Sequence, residues 1–272
     1  MSIHATALVS ARAELGDGVT VGPLAVIEEN VRIGDHAVIG PHAVILKHTT
    51  LGAGCRVHAH AVLGDLPQDL AFGGLESYAR IGARCVIREG VTVHRGTKPG
   101  TATEIGPDCF LMANSHVGHN ARLGDHVILA NGALLAGYVE VGPRAFISGN
   151  CLLHQFVRIG RLAMLGGGCG VSKDVPPFCT IMGLRVNQVA GLNILGMRRA
   201  GMLPAERLAL KRAFRMLYLS GLNVTQAVAA IRGEFSAGPA LELAEFVDGS
   251  KRGICRHGRW RGEDEDDAAD GV

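Results

Sequence analysis

Aromatic side chains make up only 4% of the 272 residues, so any interior must be built from aliphatic groups. No run of 18 or more apolar residues suggests a membrane-spanning helix. The opening residues, Met1-Ser2-Ile3-His4, lack a charged region followed by an apolar stretch; no signal peptide is read, and a cytoplasmic location is expected. A net charge of +2 offers no electrostatic argument for nucleic acid. The seven cysteines are odd in number and contain no CxxC pair, which suits a reduced chain. What is plentiful is aliphatic residue and glycine: 47% of the chain is hydrophobic and 38 residues are Gly.

Those residues are arranged with a period of six. Starting at Ile3, every sixth position through Leu63 is Ile, Leu or Val. The register resumes at Ile81, Ile87 and Val93, and runs again from Ile105 to Val171, for 26 hexads in all. Four residues after each aliphatic comes a small one (Ala, Val, Cys, Thr or Ser) in 25 of the 26; Pro67 is the exception. Cys55, Cys85, Cys109, Cys151 and Cys169 fall in this column and read as small buried hydrophobes. Gly follows the aliphatic residue in 13 hexads, where a sharp backbone turn is expected.

A period of six fits neither a helix nor a hairpin strand. It fits a short strand and a turn, three of which close a triangular coil of 18 residues, with coils stacked about 4.8 Å apart. The fold expected is therefore all-β, a parallel β-helix over residues 1–190 with a C-terminal α-helical segment. Residues 64–80 and 94–104 lose the period, are rich in Gly, Pro and polar residues, and read as loops leaving the prism; long loops on a rigid scaffold tend to carry function. Beyond Val175-Pro176-Pro177 the period ends. Helices are expected over 191–201, from Pro204 to about Leu219, from a cap at Asn223 or Thr225 to Arg232, and over 239–249. Together they make a helical unit over 191–250. Residues 251–272, basic and then acidic, read as a disordered tail.

The 18-residue coil turns spacing into geometry. Val117, Leu135 and Leu153 should stack on one face. His119, Tyr138 and His154 follow them and should line up on neighbouring coils, roughly 5 Å apart per step. His94 and His116 are expected beside the 94–104 loop, and all four histidines should point outward. The other outward histidines read as ordinary polar surface, and on base rates each of these four could be the same. Alignment beside a loop favours function. A histidine trio could also bind zinc between subunits.

Several segments carry a more specific likeness: Ile87-Arg88-Glu89, Val91-Thr92-Val93-His94-Arg95-Gly96-Thr97, Leu111-Met112-Ala113, His154-Gln155-Phe156, Asp174-Val175-Pro176-Pro177, and Gly191-Leu192-Asn193-Ile194 with Gly196-Met197-Arg198-Arg199. From about residue 3 to 247 the chain resembles the UDP-N-acetylglucosamine O-acyltransferases that start lipid A synthesis. That resemblance implies a left-handed coil and a homotrimer with sites between subunits. It implies transfer of a 3-hydroxyacyl chain from acyl carrier protein to the sugar 3-position, with no cofactor and no metal. It makes His119 the general base, a role suited to imidazole, with a backbone amide near Tyr138 as oxyanion donor. It places Asp69 at the glucosamine ring and His154 and Gln155 near thioester and sugar. His94 and His116 would line the cleft, and Asn193 and Arg199 would sit near nucleotide and phosphates. Gly167 would be the position that limits acyl length. Arg198, Arg199, Lys211, Arg212 and Arg215 form a basic cluster that could steer the acidic carrier protein.

The chain also departs from that family. The residue after the base is Asn120 where Asp is usual, Ala71 replaces a Lys near the phosphates, Tyr138 replaces a third cleft His, and Leu195 replaces a nucleotide-contacting acid. Near 183 the sequence reads Gly183-Leu184-Arg185-Val186. These changes keep open a paralogue acylating a 3-amino sugar nucleotide, a coenzyme A-dependent acetyltransferase, and a catalytically retired trimeric scaffold.

Overall fold

The computed structural model describes residues 1–258. Two-residue strands such as His116–Val117, Leu134–Leu135 and Leu152–Leu153 alternate with tight turns and pair in parallel across coils. Val117 aligns with Leu135, and Leu135 with Leu153, as the 18-residue coil requires. The result is a left-handed β-helix of three parallel sheets. The inward column is dry: Leu111, Leu129, Leu135 and Ile147 are fully buried, with Cys109, Ala133 and Cys151 beside them. Each buried aliphatic contributes about 1.5–3 kcal/mol, so a core almost without aromatics is sufficient. All seven cysteines are buried and free, Cys179 and Cys255 included.

The glycines that follow the aliphatic column are needed for a reason other than a sharp turn. None of the set Gly34, Gly124 and Gly142 has a positive φ. A Cβ on Gly142 would instead stand 2.6 Å from the backbone nitrogen of Arg161, and one on Gly34 2.6 Å from that of Ala53, in the next coil. Close stacking excludes the side chain. The left-handed backbone lies two residues further on, at His36 (φ 58), Asn120 (φ 59) and Tyr138 (φ 60). Asn and His tolerate that region better than most residues, which accounts for much of the histidine on these corners.

The three faces differ in their outward residues. One sheet carries Ser2, Thr20, Val38 and Arg56 outside in its first coils and is apolar from Val86 through Phe110, Ile128 and Phe146 to Met164. The next carries Val26, Val44 and Val62, then His116, Leu134 and Leu152. The third is a ladder of charge: Arg32–Glu14 at 3.0 Å, Arg80–Glu104 at 3.4 Å, Arg122–Glu104 at 3.7 Å and Arg158–Glu140 at 3.6 Å. Exposed pairs of this kind are worth about 0–1 kcal/mol each; their effect is to keep that face in water.

After the coil, Gln188–Leu192 runs antiparallel to Cys179–Ile181, so the helix expected from residue 191 starts later. The helices are α1 (Ile194–Arg199), α2 (Pro204–Tyr218), α3 (Val224–Glu234) and α4 (Gly238–Asp248). Asn223, not Thr225, caps α3, its side chain accepting from the Gln226 N–H at 2.9 Å. Phe178, Met197, Leu210, Ile231 and Leu243 form a second core between coil and helices. Arg161 pairs with Glu242 at 2.7 Å and lies over Phe178, tying α4 to the coil.

The expected tail is partly structured. Buried Asp174 accepts from the Arg158 N–H (2.9 Å) and the Ser250 hydroxyl (2.7 Å), while its own N–H donates to the Gly253 carbonyl (3.0 Å). Arg256–His257 then pairs with Gln188–Leu192. Residues 250–257 thus fold back onto the coil. The acidic run beyond lies outside the described residues. No described helix is long and apolar enough to cross a membrane.

Candidate active site

Stacking brings His94, His116, His119 and Tyr138 together at one edge of the second face. The His94 and His116 rings meet edge-to-face at 4.8 Å, as do His119 and Tyr138 at 5.3 Å. Tyr138 in turn stacks on Phe156 at 4.8 Å. His94 does not point outward as expected. It is 6% exposed, and its Nδ1 has no partner; the neighbouring strand Val62–Asp65 carries an extra residue, Gly64, so that Asp65 rather than Gly64 pairs with His94 where the two loops leave the prism. Burial, countered by Asp65, holds the His94 imidazole below its ordinary value. His116 is pushed down to about 4, first by burial and then by the other two imidazoles. Both rings are therefore pushed toward the neutral form.

His119 is held by the loop at 94–104. Its Nδ1 lies 3.2 Å from Asn120 Oδ1. The Thr97 backbone N–H donates to the same Oδ1 (3.0 Å), which fixes that atom as the oxygen of the amide. The Thr97 hydroxyl also donates to it (2.9 Å) and receives the Tyr138 hydroxyl (2.9 Å). The Asn120 N–H donates to Thr103 Oγ1 at 2.8 Å. An oxygen can only accept, so Nδ1 of His119 carries a proton, and in the neutral ring Nε2 keeps its lone pair. That is the form a general base requires.

Beside Nε2 lies Gly137. A Cβ there would collide with Cε1 and Nε2 of His119, so glycine is required for the imidazole to occupy this position. The Tyr138 N–H is taken by the His119 carbonyl at 2.9 Å and is not free to serve as the oxyanion donor expected near Tyr138; the adjacent amide is that of Gly137. Its N–H has no backbone partner among the described residues. The His119 ring and the Gly137 N–H are thus neighbours on adjacent coils.

From this corner an apolar groove of about 510 Å³ crosses the face over His116, Leu134, Leu152, Gly170 and Val186, with His154 and Ser172 on its edge. A second, polar cavity of about 1030 Å³ opens on the charged face and reaches Asn120, Tyr138 and Phe156. His119 lines neither cavity, but its neighbours divide between them: His116 and Ala136 line the apolar groove, and Asn120 and Tyr138 the polar cavity.

A family model described as UDP-N-acetylglucosamine O-acyltransferase, domain 2, matches residues 174–255, and a bacterial transferase hexapeptide model matches 12–47, 30–65 and 102–137. The acyl-[acyl-carrier-protein]–UDP-N-acetylglucosamine O-acyltransferase of Trichlorobacter lovleyi is 49% identical over 94% of this chain and all of that protein. The crystal structure of the UDP-N-acetylglucosamine acyltransferase of Bacteroides fragilis superposes with a TM-score of 0.88, at 38% identity over 93% of this chain and 99% of that one. The chain belongs to this O-acyltransferase family.

The remaining residues that the family likeness singles out lie apart from the histidine cluster in one protomer. Asp69 is exposed and caps its own turn, accepting from the Ala71 N–H at 3.0 Å; neighbouring Gln68 lines the apolar groove. Gly167 stands on the far corner of the second face, where a Cβ would find only the Gly149 carbonyl at 3.7 Å. Asn193 caps α1, accepting from the Gly196 N–H (2.9 Å) and donating to the Leu162 carbonyl (2.8 Å). Arg199 is exposed at the end of α1. Gln155 follows His154 on the corner and is exposed. Of the basic cluster, Arg212 is drawn into the helical unit by Glu234 and Phe235. Lys211 and Arg215 instead rim a small apolar cavity with Ile194 and Phe214. Among the described residues no group of three His, Cys, Asp or Glu is placed to hold a metal ion. Thr97 was read only as part of a motif and Gly137 not at all, although 119 plus one coil of 18 points to it.

Proposed function

We propose that this protein transfers a 3-hydroxyacyl chain from acyl carrier protein to the 3-position of UDP-N-acetylglucosamine, the first step of lipid A synthesis, as a cytoplasmic homotrimer. The observation that carries this reading is the His119 ring, oriented through Nδ1 by Asn120 Oδ1 so that Nε2 is left for substrate, and set against the free N–H of Gly137. His119 Nε2 takes the proton of the sugar hydroxyl as its oxygen attacks the thioester carbon. The carbonyl oxygen becomes an oxyanion received by the Gly137 N–H. Collapse breaks the C–S bond, and the imidazolium returns its proton to the departing thiolate. The apolar groove suits the acyl chain, and the polar cavity suits the sugar nucleotide. Two apolar outer faces and one charged face support a closed trimer, with the charged ladder left in solvent.

The test is incubation of the purified protein with UDP-N-acetylglucosamine and hydroxyacyl carrier protein, with mass analysis of the product. A monoacylated sugar nucleotide supports the reading. Its absence, or equal turnover with coenzyme A thioesters, overturns it. One observation favours a second acceptor: Asn120 supplies no charge to an imidazolium. A 3-amino sugar nucleotide, whose amine needs less help from a base, is the alternative to assay beside the first.

A further inference from the structure

The returning C-terminal segment places an arginine against the second edge histidine. Arg252 donates through Nε to the Ser172 carbonyl (3.2 Å), and its NH2 lies 3.3 Å from His154 Nδ1. Its position is built, because Asp174, 1% exposed, grips the segment on either side through Ser250, Gly253 and Cys255. His154 and Ser172 line the apolar groove, and Arg252 lines the polar cavity. The arginine therefore stands where the two meet.

Two contacts compete for the same ring nitrogen. The Gln155 carbonyl lies 3.1 Å from His154 Nδ1 and calls for a proton there. The Arg252 guanidinium, always charged and only a donor, calls for a lone pair. A proton on Nδ1 would face an N–H of a cation. The Gln155 carbonyl belongs to the very next residue, whereas the arginine contact is charge-assisted and so about twice as strong as a neutral one.

We propose that Arg252 is a positioning residue that holds His154 as the Nε2–H tautomer. The two histidines then work in opposite senses: His119 presents a lone pair and takes a proton, and His154 presents an N–H to an acceptor oxygen of the acyl donor. This role in transfer rests on the acyltransferase reading above; the tautomer itself does not.

The experiment is nitrogen-15 NMR of histidine-labelled full-length protein at neutral pH, with His154 assigned by His154→Gln, run beside steady-state transfer assays. The expected wild-type signature is a protonated Nε2 and a bare Nδ1 on His154. In Arg252→Met the proton moves to Nδ1, toward Gln155, and kcat/KM falls by about tenfold, the loss of one charge-assisted hydrogen bond. Arg252→Lys, which keeps a charged donor, should restore the wild-type signature at least in part and leave His119 resonances in place. A wild-type His154 protonated on Nδ1, or an Arg252→Met spectrum unchanged at His154, overturns the proposal. If the tautomer switches but no variant, wild type included, transfers an acyl chain, the positioning claim stands and the acyltransferase reading fails.

Discussion

An amide oxygen at residue 120 can receive the Nδ1 proton of His119 as well as a carboxylate can, but it cannot stabilise an imidazolium by charge. Asn120→Asp should therefore favour the protonated ring and move the acid limb of the kcat/KM profile to higher pH, by about one pH unit; an unchanged limb would remove residue 120 from the account. Thr97→Val, which deletes the hydroxyl between Asn120 and Tyr138, should lower kcat more than it raises KM. His116 gives a prediction about stability. Burial holds it at about 4, against an ordinary value of 6.5. Between those pH values the unfolded chain binds the proton and the folded one does not. The contribution of His116 is thus complete above about pH 6.5 and lost as pH falls toward 4, an effect on the order of 3 kcal/mol. Urea midpoints measured from pH 7 to pH 4.5 should fall more steeply in the wild type than in His116→Gln.

At the scale of the coil, the repeat sets both what can and what cannot change. Gly142→Ala would push a methyl into the backbone of Arg161 and should cost about 1–3 kcal/mol. Gly73, in the 64–80 loop, has nothing within 4 Å of a built Cβ, and Gly73→Ala should stay within about 0.5 kcal/mol by denaturant titration. The coil was legible in the sequence because one aliphatic in six is a periodic signal, and the same arithmetic placed His119 beside Tyr138. The burial of His94 was not legible, since a bulge at the root of two loops obeys no period. Nor was the capping of α1 by Asn193, because a cap and a ligand contact demand the same side chain. Arg252 is beyond any local pattern: 98 residues separate it from His154, and the link runs through Asp174 and a strand in what composition alone marks as a tail.

The whole molecule presents two apolar faces and one charged face, and its site opens at the edge of an apolar one. Ile128→Glu should break the proposed trimer, seen as a drop in sedimentation mass, with loss of transfer. Arg32→Gln, on the charged face and far from the cleft, should leave the mass unchanged; dissociation by the second and not the first would reverse the assignment of faces. We propose that stacking delivers the His119 imidazole to a place beside Gly137, next to the His116 and Ala136 end of the acyl-sized groove, where it acts as the base. The measurement that tests it most directly is the rate of hydroxyacyl transfer to UDP-N-acetylglucosamine by wild type and His119→Ala across pH 5–9. A fall of about 10²–10⁴ in kcat is expected for the variant, with loss of the acid limb. A variant that keeps wild-type turnover and the same pH profile would contradict it.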